Sequence, residues 1–507
     1  MGLNVAVTSD LIAALRDDLF SADYTAETVD SLWGADAAAA LRRGQREPAR
    51  RALAGATGVG VIARAFVLGL PVDASRLAEA LPRLGGGGAV SLGLVAVDGD
   101  TATPLLDLRP HAFVDALGPG SWWIASDLGE AALGRPIPEN HVLGVGGAST
   151  TLAGLMVGTR VDNVLDLGTG CGIQALHAAR HAKRVVATDI SQRAIDLARF
   201  NAELNGVSSI EFRLGSLFEP VASERFDQIV SNPPFVITPR ADGVPSYEYR
   251  DGGLEGDALV ASVIQGAAER LAPGGTAQLL GNWEYRAGED AFDRIAGWLD
   301  GTGLDAWIVE REVQDASLYA ETWIRDGGIL ARTDEYERLY AAWLDDFEAR
   351  GVTSIGFGYI TLRRPLEGAA TLRRLERLPG ALGHNPAGLG SHIAASLAAH
   401  DAQSSLADAA LVSTTLAVAG DVTEERHYWP GDEHPTVMDL RQGGGFGRTF
   451  ALGTALAAVV GACDGELPLG AICSAVAQLL EVDESELLAE VVPSVRELLS
   501  TGFLLVE

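Results

Sequence analysis

The fold is decided by the stretch Asn163-Val-Leu-Asp-Leu-Gly-Thr-Gly-Cys-Gly172, a short apolar run followed by three glycines, each separated by one residue. A short apolar run bounded by glycine is typical of a buried strand, and apolar residues at helical spacing follow from 173 to 182. Glycines let the backbone turn tightly and approach a ligand without interference from a Cβ atom. The helix that follows adds the positive end of its dipole. The stretch therefore predicts a strand, a ligand-binding glycine loop and a helix.

The same alternation of strands and helices continues beyond this unit. Strand candidates lie at 184–188, 211–214, 228–230 and 276–280, and helical patterns lie at 191–204 and 257–271. Short apolar strands separated by amphipathic helices indicate a parallel sheet that is covered on both faces. Further elements up to residue 365 complete the pattern. The sequence predicts an α/β fold, a seven-stranded Rossmann-like domain whose last strand pair is antiparallel.

The flanking regions have a different pattern. Before the domain, helical spacing gives way at Gly85–Gly88 to two strand-like segments joined by Asp98-Gly99-Asp100. After it, Gln442–Gly445 is interpreted as a flexible joint, and helical patterns then lead to a closing strand at 503–506. Helices followed by a hairpin or strand predict mainly helical, winged-helix-like modules. We expect three domains, at residues 1–145, 146–365 and 366–507.

Composition narrows the function classes. The chain has 507 residues and a formal net charge of −30, so its average surface repels phosphate backbones and disfavours non-specific nucleic-acid binding. Its three cysteines are too few for a disulfide framework, and no His, Asp or Glu spacing indicates a metal site. No apolar run reaches the roughly 20 residues that a membrane span needs, and the N-terminus lacks a secretory signal pattern. We expect a cytoplasmic protein with no membrane association.

An acidic residue and a polar loop follow the next two strands. Asp189 ends the second strand, 23 residues after Asp166, which is the position from which an acid accepts hydrogen bonds from ribose hydroxyls. Ile190 follows it directly. Ser216 and Leu217 follow the third strand, and we expect them to lie beneath an adenine, with Ser216 at its edge.

The fourth strand runs into Asn232-Pro233-Pro234-Phe235. The lone pair of an amide or aminoaryl nitrogen is delocalised, so a catalyst for its methylation should accept hydrogen bonds from both N–H groups. The Asn232 oxygen and a backbone carbonyl of the Pro-Pro segment can do this, because prolines stiffen the backbone and offer no competing N–H. Phe235 can stack on a planar group. The four residues are candidates for the catalytic site.

Together these motifs resemble class I S-adenosylmethionine-dependent methyltransferases, and among them the HemK-type glutamine methyltransferases and small-domain enzymes acting on RNA bases. The run Phe235-Val-Ile-Thr-Pro239 and the glycine loop Gly252-Gly253-Leu-Glu-Gly256 favour the HemK-like branch. The resemblance covers residues 146–285 and implies S-adenosylmethionine as cofactor. The residues it implies for cofactor binding are Asp166, Gly168, Thr169, Gly170, Cys171, Gly172, Asp189, Ile190, Ser216, Leu217 and Asn232.

The acceptor stays open at this point. A protein glutamine amide, with a translation factor as one candidate, is favoured by the acidic charge and the Gly252-Gly253 loop. An exocyclic amine of an RNA or DNA base is the alternative, favoured by the winged-helix-like modules and by arginine clusters at 42–51 and 363–377. A small metabolite is a further possible acceptor. A different function, that of a non-catalytic regulator that binds the cofactor, is also an alternative. The sequence does not specify the oligomeric state.

Overall fold

A computed structural model describes residues 5–133, 137–241, 243–245, 247 and 249–507 of the chain. It divides into two compact units. The first contains residues 1–153 and 159–375, and the second contains residues 154–158 and 376–507. The predicted boundaries at 145 and 365 remain a prediction, since a division into compact units does not by itself define domains.

The first unit begins with helices and short strands. Its opening elements are α1 (Val5–Ser21), α2 (Ala26–Arg42), α3 (Glu47–Ala52), α4 (Val59–Phe66), β1 (Val72–Asp73), α5 (Ala74–Ala80), α6 (Gly85–Ser91), β2 (Val95–Asp98) and β3 (Thr101–Pro104). A longer antiparallel hairpin follows, made of β4 (Leu106–Asp115) and β5 (Gly118–Asp127). The helices α7 (Glu130–Leu133) and α8 (Gly147–Leu155) come next. Residues 1–127 are referred to below as the N-terminal module.

The expectation that Gly85–Gly88 interrupt the helical pattern is wrong. These glycines form the first turns of α6, and only Gly85 has a positive φ, of 68°. A Cβ at Gly88 would lie 2.6 Å from the Leu84 side chain, so the helix packs too closely there for a larger residue. Glycine here serves close packing, which a composition pattern does not distinguish from a turn.

The central α/β region contains the main sheet. Its elements are β6 (Val161–Leu167), α9 (Ile173–Ala178), β7 (Ala182–Asp189), α10 (Gln192–Leu204), β8 (Ile210–Leu214), β9 (Phe226–Ser231), α11 (Ala258–Arg270), β10 (Leu271–Arg286), α12 (Ala291–Leu299), β11 (Asp305–Asp315), α13 (Ala316–Asp326), α14 (Asp334–Ala349), β12 (Val352–Arg363) and β13 (Arg373–Arg377). The strands form one sheet in the order β13-β11-β12-β10-β9-β6-β7-β8. Strands β6 to β10 pair in parallel, whereas β12 is antiparallel to both β10 and β11.

The mixed α/β fold with a central sheet is therefore as predicted, but the predicted count of seven strands is one too low. The eighth strand is β13, whose sequence Arg-Arg-Leu-Glu-Arg carries one apolar residue. Strands are recognised from sequence by an apolar pattern, and an edge strand with charged side chains lacks that pattern.

Helices cover both faces of this sheet. Ile355 and Ile360 of β12 are separated by five positions and so face opposite sides. Ile360 belongs to a core with residues of α11 and α12, and Ile355 belongs to a core with residues of α13 and α14. Two covered faces leave only the strand ends for a ligand site.

No helix among the described residues is long and apolar enough to span a membrane.

The second unit has its own hydrophobic core. Its elements are α15 (Gly390–Ser404), α16 (Asp408–Val412), β14 (Thr415–Val418), β15 (Val422–His427), β16 (Val437–Gln442), β17 (Thr449–Ala451), α17 (Thr454–Gly461), β18 (Asp464–Pro468), α18 (Leu469–Leu480), α19 (Glu484–Ser500) and β19 (Leu504–Val506). The strands form two three-stranded sheets, β18-β14-β19 and β15-β16-β17.

Gln442–Gly445 is not a flexible joint. Gln442 ends β16, and the glycines after it are hydrogen-bonded on both sides. Asn385 donates to the Gly445 carbonyl at 2.8 Å and accepts from the Gly445 N–H at 2.9 Å, and the Gly443 N–H donates to the Asp421 carbonyl at 2.8 Å. A Cβ at Gly383 would lie 2.2 Å from the Gly444 oxygen, so close backbone packing accounts for glycine here.

Candidate active site

The predicted site residues meet at one edge of the sheet. The positions that end or follow the four adjacent parallel strands are Gly168, Asp189, Gly215 and Asn232. In the register of the sheet, Leu167 lies beside both Thr188 and Ser231. The glycine loop, the acid of the second strand and the Asn-Pro-Pro-Phe segment therefore begin at the same level. The carboxyl edge of parallel strands is where α/β folds bind ligands.

The three glycines of the loop have different roles. Gly168, Gly170 and Gly172 have φ angles of +76°, +54° and +87°, in the left-handed region that side chains with a Cβ rarely adopt. A Cβ added at Gly168 or Gly170 would meet nothing within 4 Å, whereas one at Gly172 would lie 3.0 Å from the Ala198 Cβ. The first two glycines thus border open space at the strand ends, and the third lets α10 pack against the loop.

Hydrogen bonds tie the loop to β7. The N–H groups of Gly168 and Thr169 both donate to the Thr188 carbonyl at 2.9 Å. The Gly170 N–H donates to Asp189 Oδ2 at 2.9 Å, and the Ser191 N–H donates to Asp189 Oδ1 at 2.9 Å. Asp189 therefore fixes the loop through its own carboxylate. The role predicted for Asp189, acceptance of hydrogen bonds from ribose hydroxyls, uses the same carboxylate.

Asp166 is fully buried beneath the loop. Its Oδ2 accepts from the Thr169 hydroxyl at 2.6 Å and from the Ala175 N–H at 2.9 Å. Its Oδ1 has no hydrogen-bond partner in the described part of the chain. Burial, with a smaller contribution from the nearby Asp189 charge, raises the pKa of the Asp166 carboxyl to about 7, although the hydrogen bonds from Thr169 and Ala175 act in the opposite direction. A buried acid in this setting gains from a positive ligand.

Cys171 and Ile190 differ in their exposure to solvent: Cys171 is buried, whereas Ile190 is largely exposed. Burial raises the pKa of the Cys171 thiol to about 11, so the thiol stays neutral. The Cys171 carbonyl accepts a hydrogen bond from the side chain of Asn201 at 2.8 Å. Ile190 is 65% exposed, next to Asp189 at the rim of the strand edge. The structure thus places Cys171 in the wall of the loop and Ile190 at the solvent side of the site.

The loop after β8 is held against β7. The Gly215 N–H donates to the Asp189 carbonyl at 2.9 Å, and the Ser216 carbonyl accepts from the Glu219 N–H at 3.0 Å. Leu217 has a φ of +45°, an uncommon value for a residue with a branched side chain, and its side chain packs on the sheet core. The loop that carries Ser216 and Leu217 thus begins beside the backbone of Asp189, and their expected position beneath an adenine stays a prediction.

Asn232 follows the last residue of β9. The Ser231 hydroxyl donates to the Leu167 carbonyl at 2.8 Å, which locks the ends of β9 and β6 together. Asn232 Oδ1 is buried, yet it has no hydrogen-bond partner among the residues that the structure describes. A buried amide oxygen without a partner costs free energy, which a bound water or ligand group at this position would recover.

The residues after Asn232 are anchored to the rest of the domain. The Phe235 ring packs on Phe357 with centroids 5.7 Å apart, and the Val236 N–H donates to the Arg250 carbonyl at 2.9 Å. The Ile237 N–H donates to the Tyr319 hydroxyl at 3.1 Å. Phe235 is half-buried, so part of its surface remains accessible for stacking. Pro233 and Pro234 lie between Asn232 and this anchored segment.

Sequence reasoning missed Tyr319 and Asn201, which hold the segment after Asn232 and the glycine loop respectively. No motif surrounds Tyr319. The sequence contains a signal for Asn201, since this polar residue lies on the apolar face of α10 and Asn205 follows four positions later. In the structure Asn201 is fully buried. A buried amide in an amphipathic helix requires hydrogen-bond partners.

No group of three or more His, Cys, Asp or Glu side chains in the described ranges could hold a metal ion.

Comparison with protein families assigns the central region. Residues 144–289 match the model described as the methyltransferase small domain. The central region is therefore similar to this domain. Residues 21–105 and 397–506 match two domains of unknown function, DUF7059 and DUF7782. The methyltransferase small domain covers the whole strand edge from the glycine loop to the segment after Asn232.

Curated relatives of this methyltransferase small domain are glutamine methyltransferases. The chain is 43% identical over 122 residues to the release factor glutamine methyltransferase of Geobacter sulfurreducens, covering 22% of this chain and 42% of that protein. It is 35% identical over 172 residues to the enzyme of the same description from Bordetella pertussis, covering 32% and 61%. It is 35% identical over 127 residues to the ribosomal protein uL3 glutamine methyltransferase of Bradyrhizobium diazoefficiens, covering 23% and 40%. The chain thus spans less than two thirds of each relative.

A solved structure of a methyltransferase from Pyrococcus furiosus aligns with 41% of this chain and 77% of its own, at 17% identity and a TM-score of 0.25.

Proposed function

We propose that the protein is an S-adenosylmethionine-dependent N-methyltransferase whose acceptor is a planar NH2 group, a glutamine side chain in a protein. The observation that carries this proposal is the buried, unpartnered Oδ1 of Asn232 at the end of β9, beside the glycine loop. The relatives of the domain are named as glutamine methyltransferases of release factors and of a ribosomal protein, which supports the same acceptor class. A protein of the translation machinery is the acceptor we favour, and the cytoplasm is the compartment this implies.

The residues at the strand edge fit the cofactor. Gly168 and Gly170 leave a cradle that any Cβ would fill, and they border open space. Within the described residues, Asp166 is a buried acid with one unpartnered oxygen and no basic side chain that lowers its pKa, which suits a ligand carrying an ammonium group. We assign cofactor binding to this loop, with Thr169, Cys171 and Gly172 shaping it, and to Asp189, Ile190, Ser216 and Leu217 on the ribose and adenine side. When bound, the cofactor supplies an electrophilic methyl group on a sulfonium.

The chain's own contribution to the chemistry is to orient the acceptor nitrogen. Asn232 Oδ1 accepts one N–H of the acceptor amide, and a carbonyl of Pro233 or Pro234 accepts the other. These acceptors favour a nitrogen geometry in which the lone pair points at the methyl group. They also stabilise the positive charge that develops on the nitrogen. Their positions are fixed by the Ser231–Leu167 hydrogen bond before Asn232 and the Ile237–Tyr319 hydrogen bond after Phe235.

The alternative acceptor, a nucleic-acid base, loses part of its support. Several arginines of the two clusters are committed within the fold. Arg50 and Arg51 pair with Glu47, Arg363 pairs with Asp305, and Arg364 and Arg373 donate to backbone carbonyls. Arg363 in particular is little available to bind phosphates, because its side chain is 11% exposed and is paired with the buried Asp305. A role of the flanking modules as winged-helix-like binding elements stays part of the proposal, with the acceptor protein as their partner.

The proposal is tested by incubating the protein and methyl-labelled cofactor with an acceptor-containing lysate prepared from cells that lack the chain. We expect the label to be removed by protease and to persist after nuclease, and acid hydrolysis to release labelled methylamine from a glutamine amide. Label that nuclease removes would assign the base acceptor instead. No label in any fraction, together with no binding of S-adenosylhomocysteine in calorimetry, would overturn the enzyme assignment and favour a non-catalytic role.

A further inference from the structure

Strand β5 of the N-terminal module is hydrogen-bonded by two asparagine side chains of α10. It pairs with β4 along one edge in a two-stranded sheet. On backbone groups that β4 does not use, the carboxamide of Asn201 accepts from the Ala125 N–H at 2.8 Å and donates to the Ala125 carbonyl at 2.9 Å. Asn205 does the same with Trp123, at 2.9 and 2.8 Å. The two amides therefore take the place of a neighbouring strand.

The spacing of the two elements explains why this arrangement fits. Four residues of an α-helix advance ~6 Å, and two residues of a strand advance about 6.7 Å. Asparagines four positions apart on α10 can therefore reach alternate residues of β5. The apolar surroundings are continuous as well, because Ile124 and Ala125 lie in one hydrophobic core with Cys171, Ile173 and Leu197. The N-terminal module and the helices beside the glycine loop share this core.

The two asparagines differ in their remaining N–H. The second hydrogen of Asn205 Nδ2 goes to the Asn201 carbonyl of its own helix, at 2.8 Å. Asn201 Nδ2 donates to the Cys171 carbonyl at 2.8 Å, between the two positive-φ glycines Gly170 and Gly172. Asn201 is fully buried, and all three hydrogen bonds of its amide connect α10 to other segments: two reach Ala125 of β5 and one reaches Cys171 of the glycine loop. One side chain therefore links β5 of the N-terminal module to the glycine loop.

We infer that the N-terminal module is a structural part of the cofactor site, and that Asn201 is the positioning residue through which β5 holds the glycine loop in its binding conformation. The inference rests on the proposed function, since it assigns the loop to the cofactor. Two sites joined through one element are coupled in both directions. Binding at the loop should therefore also stabilise the docking of β5 on α10.

The test compares Asn201→Ala with Asn205→Ala. Each variant loses two hydrogen bonds to β5, but only the first loses the contact with the Cys171 carbonyl. Calorimetry with S-adenosylhomocysteine should give about tenfold weaker binding for Asn201→Ala and a change of less than twofold for Asn205→Ala. Asn201→Gln, which keeps an amide, should recover part of the loss. Equal weakening in both alanine variants, or none in either, would overturn the inference.

Hydrogen exchange supplies a readout that does not depend on ligand binding. In the ligand-free protein, the peptide covering residues 166–176 should exchange faster in Asn201→Ala than in Asn205→Ala or the unchanged chain. If Asn201→Ala does not fold, the unchanged chain still decides the matter. S-adenosylhomocysteine should then slow exchange in residues 118–127, and unaltered exchange there would overturn the coupling. Failure of the unchanged chain to bind S-adenosylhomocysteine would contradict the proposed function, while the loop exchange would still test Asn201.

Discussion

Two acids of the central sheet, Asp166 on β6 and Glu284 on β10, are both fully withdrawn from solvent but have opposite surroundings. Glu284 forms ion pairs with Arg286 at 2.8 Å and with Arg350, and Arg294 lies 3.8 Å away. The Asp166 carboxylate accepts hydrogen bonds from one hydroxyl and one backbone N–H, and its Oδ1 has no partner among the described residues. A buried charge must be compensated, and the two regions achieve this differently.

The difference separates a structural cluster from a binding site. Around Glu284 the counter-charges belong to the fold, and Asp257 adds a bidentate pair with Arg294 at 2.7 and 2.9 Å. At Asp166 no counter-charge comes from the part of the chain that the structure describes, and burial raises the pKa of the carboxyl to about 7. The same strand edge carries the open space over Gly168 and Gly170 and the unpartnered Oδ1 of Asn232, which is why we propose a ligand there.

The largest effect that tests this comparison is on stability. Glu284→Ala should lower the free energy of unfolding by about 4 kcal/mol, because it leaves buried guanidinium groups without their partner. Burial already lowers the pKa of Arg350, which shows that its charge is poorly solvated. Urea denaturation followed by circular dichroism measures the change. Glu289→Ala is the control, since Glu289 is exposed and lies 3.9 Å from Arg294, and it should change stability by less than about 0.5 kcal/mol. A loss below 1 kcal/mol for Glu284→Ala would contradict a structural role.

Asn232→Ala should act on turnover instead. We expect the barrier to rise by about 3 kcal/mol, roughly a hundredfold or more in kcat, because a preorganised acceptor is lost. S-adenosylhomocysteine affinity should change less than twofold, and stability should not fall, since Oδ1 has no partner to lose. Single-turnover kinetics with labelled cofactor and calorimetry measure the two quantities. Asn163→Ala, at the opposite end of β6, is the matched control and should leave turnover unchanged. Near-normal turnover of Asn232→Ala would remove this side chain from the chemistry.

Asp189→Ala should weaken cofactor binding. The change removes the acceptor proposed for the ribose hydroxyls together with the acceptor of the Gly170 N–H, so we expect a loss of about 2 kcal/mol, near thirtyfold in affinity. Titration calorimetry with S-adenosylhomocysteine measures it. Asp196→Ala changes an exposed acid of α10 and should leave affinity intact. Equal affinities for the two variants would refute the assignment of Asp189.

Asp166 should give the chain a pH-dependent stability. Its folded-state pKa of about 7 lies above its ordinary value of 3.8, so between these values the folded protein holds a proton that the unfolded chain releases. The free energy of unfolding should therefore fall as pH rises, by about 1.4 kcal/mol per unit. Urea denaturation of the ligand-free protein between pH 5.5 and 7 should show this slope reduced in Asp166→Asn. Asp107, whose pKa burial raises to about 6, adds a slope of its own that this variant keeps. Identical pH profiles would show that Asp166 is ionised in the folded state.

Much of the central domain was predictable from local pattern. The alternation of apolar strands and amphipathic helices predicts the parallel sheet. The same pattern predicts that the glycine loop, Asp189 and Asn232 lie at strand ends. The strand β13 was missed because its charged sequence has no apolar period. The glycines at Gly85–Gly88 and Gly443–Gly445 are not the breaks that the sequence predicts: the first group lies in a helix, and the second packs against Asp421 and His392, which are distant in the chain.

The sequence by itself determined the chemistry of the strand edge, since each motif residue lies within a few positions of the strand that carries it. Only the tertiary structure decided which polar atoms are left without a partner, because hydrogen-bond satisfaction depends on segments distant in the chain. Asn201 reaches Ala125 and Cys171, 76 and 30 positions away, whereas Asn232 Oδ1 meets no partner in the described part of the chain. The same residue type thus holds the fold together at one position and is available to a substrate at the other.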